Sequence, residues 1–281
     1  MSNNPVNTSH IAEKANRKYN NNGDEKMKRY AIVSKKDDVS RHLAALIKEE
    51  LTELTYDEEH PEIVISVGGD GTMIYSIHRY EHVLNDVSFV GIHTGTLGFF
   101  TDYLKDEYKQ LVEDILTKQP EIFDRHLLRI SYNGEIFHAL NEMRIENSYR
   151  SQVIDMYVND EHMETFRGNG LCVSTPSGST ALNKSLGGAV INPSLRLMQV
   201  TEIAGIHHNA YRSLGSPLIL GEEDVVRFET DFNENAVLGI DTDIYELKDH
   251  DVIEARLSKR VAHFCNYRHI SFVKRLRKSY L

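Results

Sequence analysis

Val64-Ile65-Ser66-Val67-Gly68-Gly69-Asp70-Gly71-Thr72 is the stretch from which the fold of this 281-residue chain can be worked out. Its apolar, largely β-branched run predicts a strand, which ends in two glycines, an aspartate, a third glycine and a threonine. Met73, Ile77, Tyr80 and Leu84 then recur at the spacing of a helix. A strand, a glycine turn and a helix in this order direct backbone N–H groups and a helix N-terminus at a bound phosphate.

Asp70 is the unusual member of this turn. A carboxylate repels phosphates, so a loop that only holds them has no use for one. Its presence is explained if a metal ion screens it, or if it takes a proton from an attacking hydroxyl. The stretch therefore predicts phosphoryl transfer, with Gly68, Gly69, Gly71 and Thr72 at the phosphates. The alternative is an Asp-Gly hairpin turn, which the helical spacing after the turn disfavours.

The bulk composition restricts the class of protein. A hydrophobic content of 40% and a charged content of 26% are typical of a soluble globular protein. The net charge of −10 argues against a nucleic-acid-binding surface. No apolar run approaches the ~20 residues of a membrane span, and the polar, Asn-rich start does not resemble a secretory signal. We expect a cytoplasmic protein that binds neither nucleic acid nor membrane, with Cys172 and Cys265 as buried thiols.

The first part of the chain, residues 27–121, alternates predicted strands with predicted helices. This rhythm predicts an N-terminal α/β domain with a doubly wound parallel sheet, which holds the phosphate donor. Ligands of such sheets lie beyond the carboxyl ends of the strands, where the 68–72 and 94–100 loops fall. Residues 1–26 are Asn-rich and aperiodic, and we expect them to form a disordered tail.

The second part, residues 122–267, changes to short strands and predicts a β-rich, sandwich-like domain. Asn133-Gly134 joins strands 127–132 and 135–145 into a predicted hairpin, and Asn159-Asp160 closes another. Later strands include one at 251–257. The final segment, 268–281, is expected to form a helix that packs back on the first domain.

Three polar clusters in the sequence are ambiguous. The Ser/Thr/Gly-rich turn 174–180 is either an ordinary capped turn or a second phosphate or ribose loop, and beside the 68–72 loop the two interpretations are level. Asn141-Glu142 lies in an apolar strand, where spacing alone favours a structural role. His78-Arg79-Tyr80-Glu81-His82 matches a zinc pattern, but an exposed polar helix face is the preferred interpretation.

Several motifs together resemble the bacterial NAD kinase family in their order and spacing. They are Gly68 to Thr72, His93-Thr94-Gly95, Leu140-Asn141-Glu142, Arg167 to Leu171, Thr175 to Ala181, Asn183 to Gly188, and Ile240-Asp241. The resemblance covers nearly everything from about residue 28 to the end. Phosphofructokinases and diacylglycerol kinases share only the Gly-Gly-Asp-Gly turn.

The resemblance implies ATP-dependent phosphorylation of the adenosine-ribose 2′-hydroxyl of NAD, which gives NADP, with Asp70 as the general base. It implies Mg²⁺ with ATP, without indicating which residues hold the metal. It also implies that the domain at 122–267 binds the dinucleotide, and that the protein is a homotetramer whose dinucleotide sites lie near subunit contacts. The residues it implies for the dinucleotide site are Asp70, Gly71, Phe99, Asn141, Glu142, Arg167, Asn169, Ser177, Thr180, Ala181, Ser185, Ala204, Ile206 and Asp241.

The chain also departs from its relatives near the implied dinucleotide site. Relatives have His at Thr96, commonly Tyr at Phe100, Asp at Asn169, Tyr at Leu182, and His or Gly at Thr242. Most of these changes remove a polar or titratable group, so they bear on substrate preference, including NAD against NADH, more than on reaction type. The alternative hypothesis is a regulatory relative that binds NAD(H) or NADP(H) with little turnover. A lipid or sugar kinase is a weaker third possibility.

Overall fold

The computed structural model describes residues 27–95, 98–207, 212–229, 234–248 and 250–281. The predicted tail and Thr96 lie outside these residues. The described helices are α1 (Asp38–Glu50), α2 (Asp70–Arg79), α3 (Tyr108–Thr117), α4 (Leu182–Ser185) and α5 (Phe272–Tyr280). The described strands are β1 (Arg29–Ser34), β2 (Thr55–Tyr56), β3 (Ile63–Gly68), β4 (Ser88–His93), β5 (Tyr103–Leu104), β6 (Glu121–Tyr132), β7 (Glu135–Ala139), β8 (Glu142–Glu146), β9 (Gln152–Val158), β10 (Glu161–Gly168), β11 (Gly170–Ser174), β12 (Leu197–Ile203), β13 (Leu218–Gly221), β14 (Val225–Glu229), β15 (Val237–Ile240), β16 (Asp243–Glu246) and β17 (Val252–Asn266).

The N-terminal part is a parallel sheet with helices on both faces. Its strands lie in the order β2, β1, β3, β4, and all three pairings are parallel. Successive side chains of a strand point to opposite faces, so Ile63, Ile65 and Val67 of β3 pack with α1 and α3. Val64 packs with Met73 of α2 on the other face. The predicted doubly wound architecture is confirmed.

The helix after the glycine turn begins earlier and ends sooner than its apolar spacing predicts. It starts at Asp70, directly after the turn, and stops at Arg79. Tyr80 and Leu84 continue the apolar period and are fully buried. A short 3₁₀ turn, Glu81–Val83, replaces the last predicted helical turn.

Two long strands, β6 and β17, extend the parallel sheet into the C-terminal part. They pair with each other in antiparallel fashion over most of their length, and β17 pairs in parallel with β4 at His263–Ser88. Both run well beyond the predicted segments 127–132 and 251–257. The mixed sheet is therefore continuous across residues 121 and 122, where the sequence predicts a domain boundary. That division of the chain stays a prediction.

A second, antiparallel sheet packs on the C-terminal half of the mixed sheet. Its strands lie in the order β13, β12, β11, β8, β15, β16. Met143 and Val173 of this sheet share one apolar core with Ile130 and Phe228 of the mixed sheet. This is the predicted sandwich-like arrangement. The predicted strand 135–145 is divided, because β7 pairs with β6 in one sheet and β8 belongs to the other.

The C-terminal helix α5 packs back onto the rest of the molecule. Its N-cap Ser271 accepts a hydrogen bond from the backbone N–H of Lys274 at 3.2 Å. Arg275 is buried, donates to the carbonyl of Thr101 at 2.8 Å and pairs with the carboxylate of Asp102.

Two of the expectations about compartment can be compared with the structure. Cys172 and Cys265 are both buried free thiols, as expected. Among the described helices, none combines the length and the apolar character that a membrane crossing requires.

Candidate active site

The phosphate loop is built by the junction of β3 with α2. Gly69 is the N-cap of α2 and Asp70 its first residue, so the free N–H groups of the helix start lie in this loop. The hydroxyl of Thr72 accepts from the backbone N–H of Gly69 at 3.4 Å. Gly68 lies beneath the loop, and a Cβ there would fall 2.2 Å from the oxygen of Thr72. Only glycine permits this close packing.

A cavity of about 720 Å³, here called the donor cavity, opens at the carboxyl ends of β1, β3 and β4. Three of the predicted phosphate residues, Gly69, Gly71 and Thr72, line it, whereas Gly68 does not. Three lysines also line it: Lys35, Lys36 and Lys105.

The sequence analysis missed these lysines. Lys35 follows β1 as Gly69 follows β3, so the rule that ligands bind at strand ends could have identified Lys35 and Lys36. Lys105 is brought there by the pairing of β5 with β4. No local sequence signal points to it.

His93 lies at the end of β4 in the same cavity. Burial lowers the pKa of its imidazole; the charge of Asp70 opposes this effect and that of Lys35 reinforces it. Its Nδ1 accepts the backbone N–H of Gly95 at 2.7 Å. In the neutral ring the proton is then on Nε2, which faces Gly69. This nitrogen can therefore donate to an oxygen bound at the loop.

The carboxylate of Asp70 is oriented by the segment that follows β4. One oxygen accepts the backbone N–H of Phe99 at 2.9 Å and the other that of Phe100 at 3.0 Å. A Cβ at Gly98 would lie 2.2 Å from the nearer oxygen, so this glycine permits the approach. Each carboxylate oxygen has a further lone pair. Asp70 is thus held in place and can still accept a proton.

Asp241 organises the crossing between the two sheets at Leu140-Asn141. Its carboxylate is fully buried and accepts the backbone N–H groups of Leu140 at 2.7 Å, Asn141 at 2.8 Å and Glu142 at 3.3 Å. Nε2 of His78 lies 2.9 Å from the same carboxylate. The sequence predicts that Asn141 lies within a strand. In the structure it lies instead in the junction between two strands.

His78 does not lie on the exposed polar face that was expected. It is largely buried and joins α2 to the Asp241 junction. Burial lowers the pKa of its imidazole, but Asp241, with help from Asp243 and Glu81, outweighs that effect, and the pKa is raised. Glu81 pairs with His138 at 2.7 Å. The described part of the chain holds no group of three or more metal-ligating side chains, so the zinc pattern finds no support there.

Glu142 is a buried carboxyl at this junction, and its pKa is raised. Burial, supported by the nearby charge of Asp241 and opposed by Arg144, raises its pKa to about 7. Within the described residues, Glu142 Oε2 and Asn141 Oδ1 are buried and have no hydrogen-bond partner. Buried polar atoms are rarely left unsatisfied, so these two oxygens are available to a ligand.

The Ser/Thr/Gly-rich turn packs directly on this junction. Thr175 donates its backbone N–H to the carbonyl of Asn141 at 2.8 Å and its hydroxyl to that of Leu140 at 2.6 Å. A Cβ at Gly178 would lie 2.0 Å from the Asn141 carbonyl.

The C-terminal helix connects this turn with the Asp70 side of the site. The hydroxyl of Tyr280 donates to the carbonyl of Thr180, and its ring lies 5.8 Å from that of Phe99. Phe99, Ser177 and Thr180 line a common cavity.

Nine predicted residues therefore lie along one connected set of segments, here called the central cluster. They are Asp70, Gly71, Phe99, Asn141, Glu142, Ser177, Thr180, Ala181 and Asp241. Ser185 lies at the exposed end of α4, just beyond them.

The other four predicted residues, Arg167, Asn169, Ala204 and Ile206, form a distal cluster. Ile206 donates its N–H to the carbonyl of Arg167 at 2.8 Å, and Asn169 donates its N–H to Ile203 at 3.0 Å. Asn169 Nδ2 donates to the carbonyl of Asn147 at 2.8 Å. The distal cluster adjoins the start of β11, whereas the turn of the central cluster follows its end, about 13 Å away.

Two models of known protein domains together match most of the chain. Residues 6–120 match the ATP-NAD kinase N-terminal domain, and residues 140–267 match the ATP-NAD kinase C-terminal domain. The chain belongs to the ATP-NAD kinase family. The family predicted from the motifs is thereby confirmed, and so is its assignment to the ATP-dependent phosphotransferases.

Individual relatives agree with this assignment. The chain is 39% identical to NAD kinase 1 of Oceanobacillus iheyensis over 90% of its own length and 98% of the relative's. The crystal structure of yeast NADH kinase complexed with NADH has the same fold, with a TM-score of 0.79 and 17% identity over 91% of this chain and 88% of that one. The crystal structure of an NAD kinase from Archaeoglobus fulgidus in complex with ATP also has this fold. Its TM-score is 0.69 and its sequence identity 21%, over 90% of this chain and 97% of that one.

Proposed function

We propose that this chain transfers the terminal phosphoryl group of ATP to the 2′-hydroxyl of the adenosine ribose of NAD, with Asp70 as the general base. One observation carries the assignment of the base. Asp70 belongs to the loop that lines the donor cavity, while its carboxylate is held by Phe99 and Phe100, which line the cavity beside the central cluster. A proton acceptor at such a boundary suits transfer between two ligands.

The donor cavity suits a nucleoside triphosphate. Backbone N–H groups at the start of α2 and the three lysines offer positive charge to the phosphates. The Archaeoglobus relative that binds ATP shares this fold, and we assign the donor cavity to ATP on that basis and on its charge.

The central cluster suits the adenosine end of a dinucleotide. Asn141 and Glu142 present unpartnered buried oxygens that accept hydrogen bonds from an amino group or a ribose hydroxyl. Phe99 offers an aromatic face beside them. Holding the ribose against Asp70 in this way supplies orientation, which contributes much of the rate in phosphoryl transfer.

We assign Mg²⁺ to the ATP phosphates, where Asp70 of the phosphate loop and Asp37 of the donor-cavity wall are the carboxylates that would hold it. Mg²⁺ commonly uses one or two carboxylates together with substrate phosphates and keeps several waters, and this loop offers one such carboxylate. When bound, the ion neutralises charge on the transferred group. Asp70 and the helix start hold the reactants in line.

We further propose that the distal cluster serves the site of a neighbouring copy in a homotetramer. The two clusters adjoin opposite ends of β11, about 13 Å apart along the strand, and the family resemblance implies both of them for dinucleotide binding. The two buried free thiols fit a reducing cytoplasm, where we place the protein.

The test is incubation with Mg-ATP and NAD, with NADP detected by an NADP-specific dehydrogenase. Repeated turnover is expected. A protein that binds NAD with ordinary affinity but forms less than one NADP per chain would contradict the proposal and support the regulatory alternative. NADH in place of NAD, and another triphosphate in place of ATP, define the substrate range in the same assay.

A further inference from the structure

A second cavity, of about 360 Å³, lies where the C-terminal segment meets both halves of the molecule. It is called here the C-terminal cavity. Phe99 and Phe100 line it on one side, Ser177 and Thr180 on another, and the residues leading into α5 close it. It shares these four residues with the surroundings of the central cluster. The rest of its wall comes from Asp102, β6, the end of β17, residues 192–194 and the C-terminal segment.

Arg125 of β6 is the distinctive group in this wall. Within the part of the chain that the structure describes, its Nε is buried without a hydrogen-bond partner, although the residue as a whole is half-buried. The guanidinium lies 4.8 Å from the ring centre of Phe123 and 5.8 Å from that of Phe264. Burial, with a further contribution from Arg275, lowers its pKa to about 10, while the charges of Asp102 and Asp70 oppose this effect. It therefore remains a cation at neutral pH.

The carboxylates that line the cavity are engaged elsewhere. Asp102 pairs with Arg275, which also binds the carbonyl of Thr101. Glu121 stands at the exposed rim, 3.0 Å from Nδ1 of His269. Neither of them forms an ion pair with Arg125. Asp102 and Asp70 act on the guanidinium only through space, so its Nε stays without a direct partner, which is unfavourable for a buried polar group. A guanidinium offers a planar fork of donors that fits carboxylates and phosphates.

We propose that the C-terminal cavity binds an oxyanion, a phosphate or a carboxylate, through the guanidinium of Arg125. The anion is either a free small molecule or a phosphate group of a dinucleotide that enters from the adjoining site. Because Phe99 and Phe100 both line the cavity and orient Asp70, occupancy is coupled to the binding of the substrate. This coupling rests on the proposed function, whereas the binding of the anion does not.

The experiment is isothermal titration calorimetry of the full chain with inorganic pyrophosphate, at constant ionic strength and without turnover. The wild type is expected to show two classes of site, because the donor cavity, which we assign to the phosphates of ATP, should also bind pyrophosphate. Arg125→Gln removes the charge and should weaken one class roughly tenfold or more. The matched control, Lys105→Gln, should weaken only the other class. Arg125→Lys keeps the charge but not the fork, and it should give an intermediate affinity.

Titrations with NADP and NAD distinguish the two sources of the anion. If Arg125→Gln weakens NADP and leaves NAD unchanged, the occupant is the 2′-phosphate of a dinucleotide; if it weakens pyrophosphate alone, the occupant is a free anion. Wild-type affinity of Arg125→Gln for pyrophosphate, NADP and NAD would overturn the proposal. Failure of the wild type to make NADP would refute the proposed function and leave this binding test intact.

Discussion

The phosphate loop and the central cluster are constructed in different ways. The loop uses consecutive residues, 68–72, and its ligand groups are backbone N–H groups and the start of one helix. The central cluster collects side chains from α2, the segment after β4, the junction between two sheets, the 175–181 turn and the end of β15. It depends on the buried carboxylate of Asp241, which binds three backbone N–H groups and His78.

This difference shows which part of the site tolerates local change. The phosphate loop should survive as long as the strand–turn–helix unit folds. The dinucleotide side requires several distant segments to meet, so a single buried charge can disturb it. Four predictions test this contrast, and they follow in order of decreasing effect.

Asp70→Asn tests the point at which the two regions meet. We expect turnover to fall by roughly two to four orders of magnitude, which is the usual contribution of a general base. The affinities for ATP and NAD, measured by calorimetry, should stay near those of the wild type. Asp38→Asn, on the exposed first turn of α1, is the matched control and should be fully active. Near-wild-type turnover of Asp70→Asn would show that Asp70 is not the base.

Glu142→Gln tests the electrostatics of the assembled region. A pKa raised from 4.5 to about 7 means that the folded protein keeps a proton that the unfolded chain loses as the pH rises. The wild type therefore loses stability between about pH 4.5 and 7. The full loss is about 3 kcal/mol, at about 1.4 kcal/mol per pKa unit, and the amide does not titrate.

The measurement is the free energy of unfolding of both proteins in urea at pH 5 and pH 8, at equal protein concentration. Relative to the wild type, the free energy of unfolding of Glu142→Gln should be higher at pH 8 than at pH 5. A difference that does not change with pH would contradict the buried, raised-pKa state of Glu142.

Asp241→Asn tests the dependence of the central cluster on one carboxylate. Hydrogen bonds to a charged group contribute about 1.5–3 kcal/mol, so we expect a loss of about 2 kcal/mol in stability. KM for NAD should rise while KM for ATP stays constant, because the phosphate loop is built locally. Asp243→Asn, exposed two residues away, is the control. An equal rise in both KM values would show that the two regions are not independent.

Asn169→Asp is the smallest expected effect and concerns the distal cluster. The family resemblance implies that this position faces the nicotinamide, whose ring is cationic in NAD and neutral in NADH. Two unit charges ~4 Å apart interact by about 1 kcal/mol in water, so kcat/KM should shift several-fold toward NAD, and less at high salt.

Because Asn169 Nδ2 donates to Asn147, the change to Asp also removes a structural hydrogen bond. Asn169→Ala removes the same bond without adding charge and should change kcat/KM for NAD and NADH by equal factors. The quantity to compare is the ratio of kcat/KM for NAD to kcat/KM for NADH. If this ratio is the same in Asn169→Asp as in Asn169→Ala, position 169 does not face the ring.

Much of the fold was predictable because its signals are local. The strand–turn–helix at 63–79 and the hairpin turns at 133–134 and 159–160 follow from short-range spacing. The full lengths of β6 and β17 were not predictable, because their extra residues are mixed in polarity and are held by each other. The division of 135–145 between two sheets was also missed. Asn141 leaves the strand there because Asp241, 100 residues later, binds its N–H.

By itself the sequence determined the family, the two-part architecture and the position of Asp70 among its glycines, since residue type and spacing along the chain are sufficient for each. Only the tertiary structure decided that Phe99 and Phe100 orient Asp70, that Lys105 enters the donor cavity, that His78 meets Asp241 and that Arg125 lies in the wall of a second cavity. These features depend on contacts between segments far apart in the chain. Such contacts are selected by packing and by the cost of burying charge, which the local sequence pattern does not record.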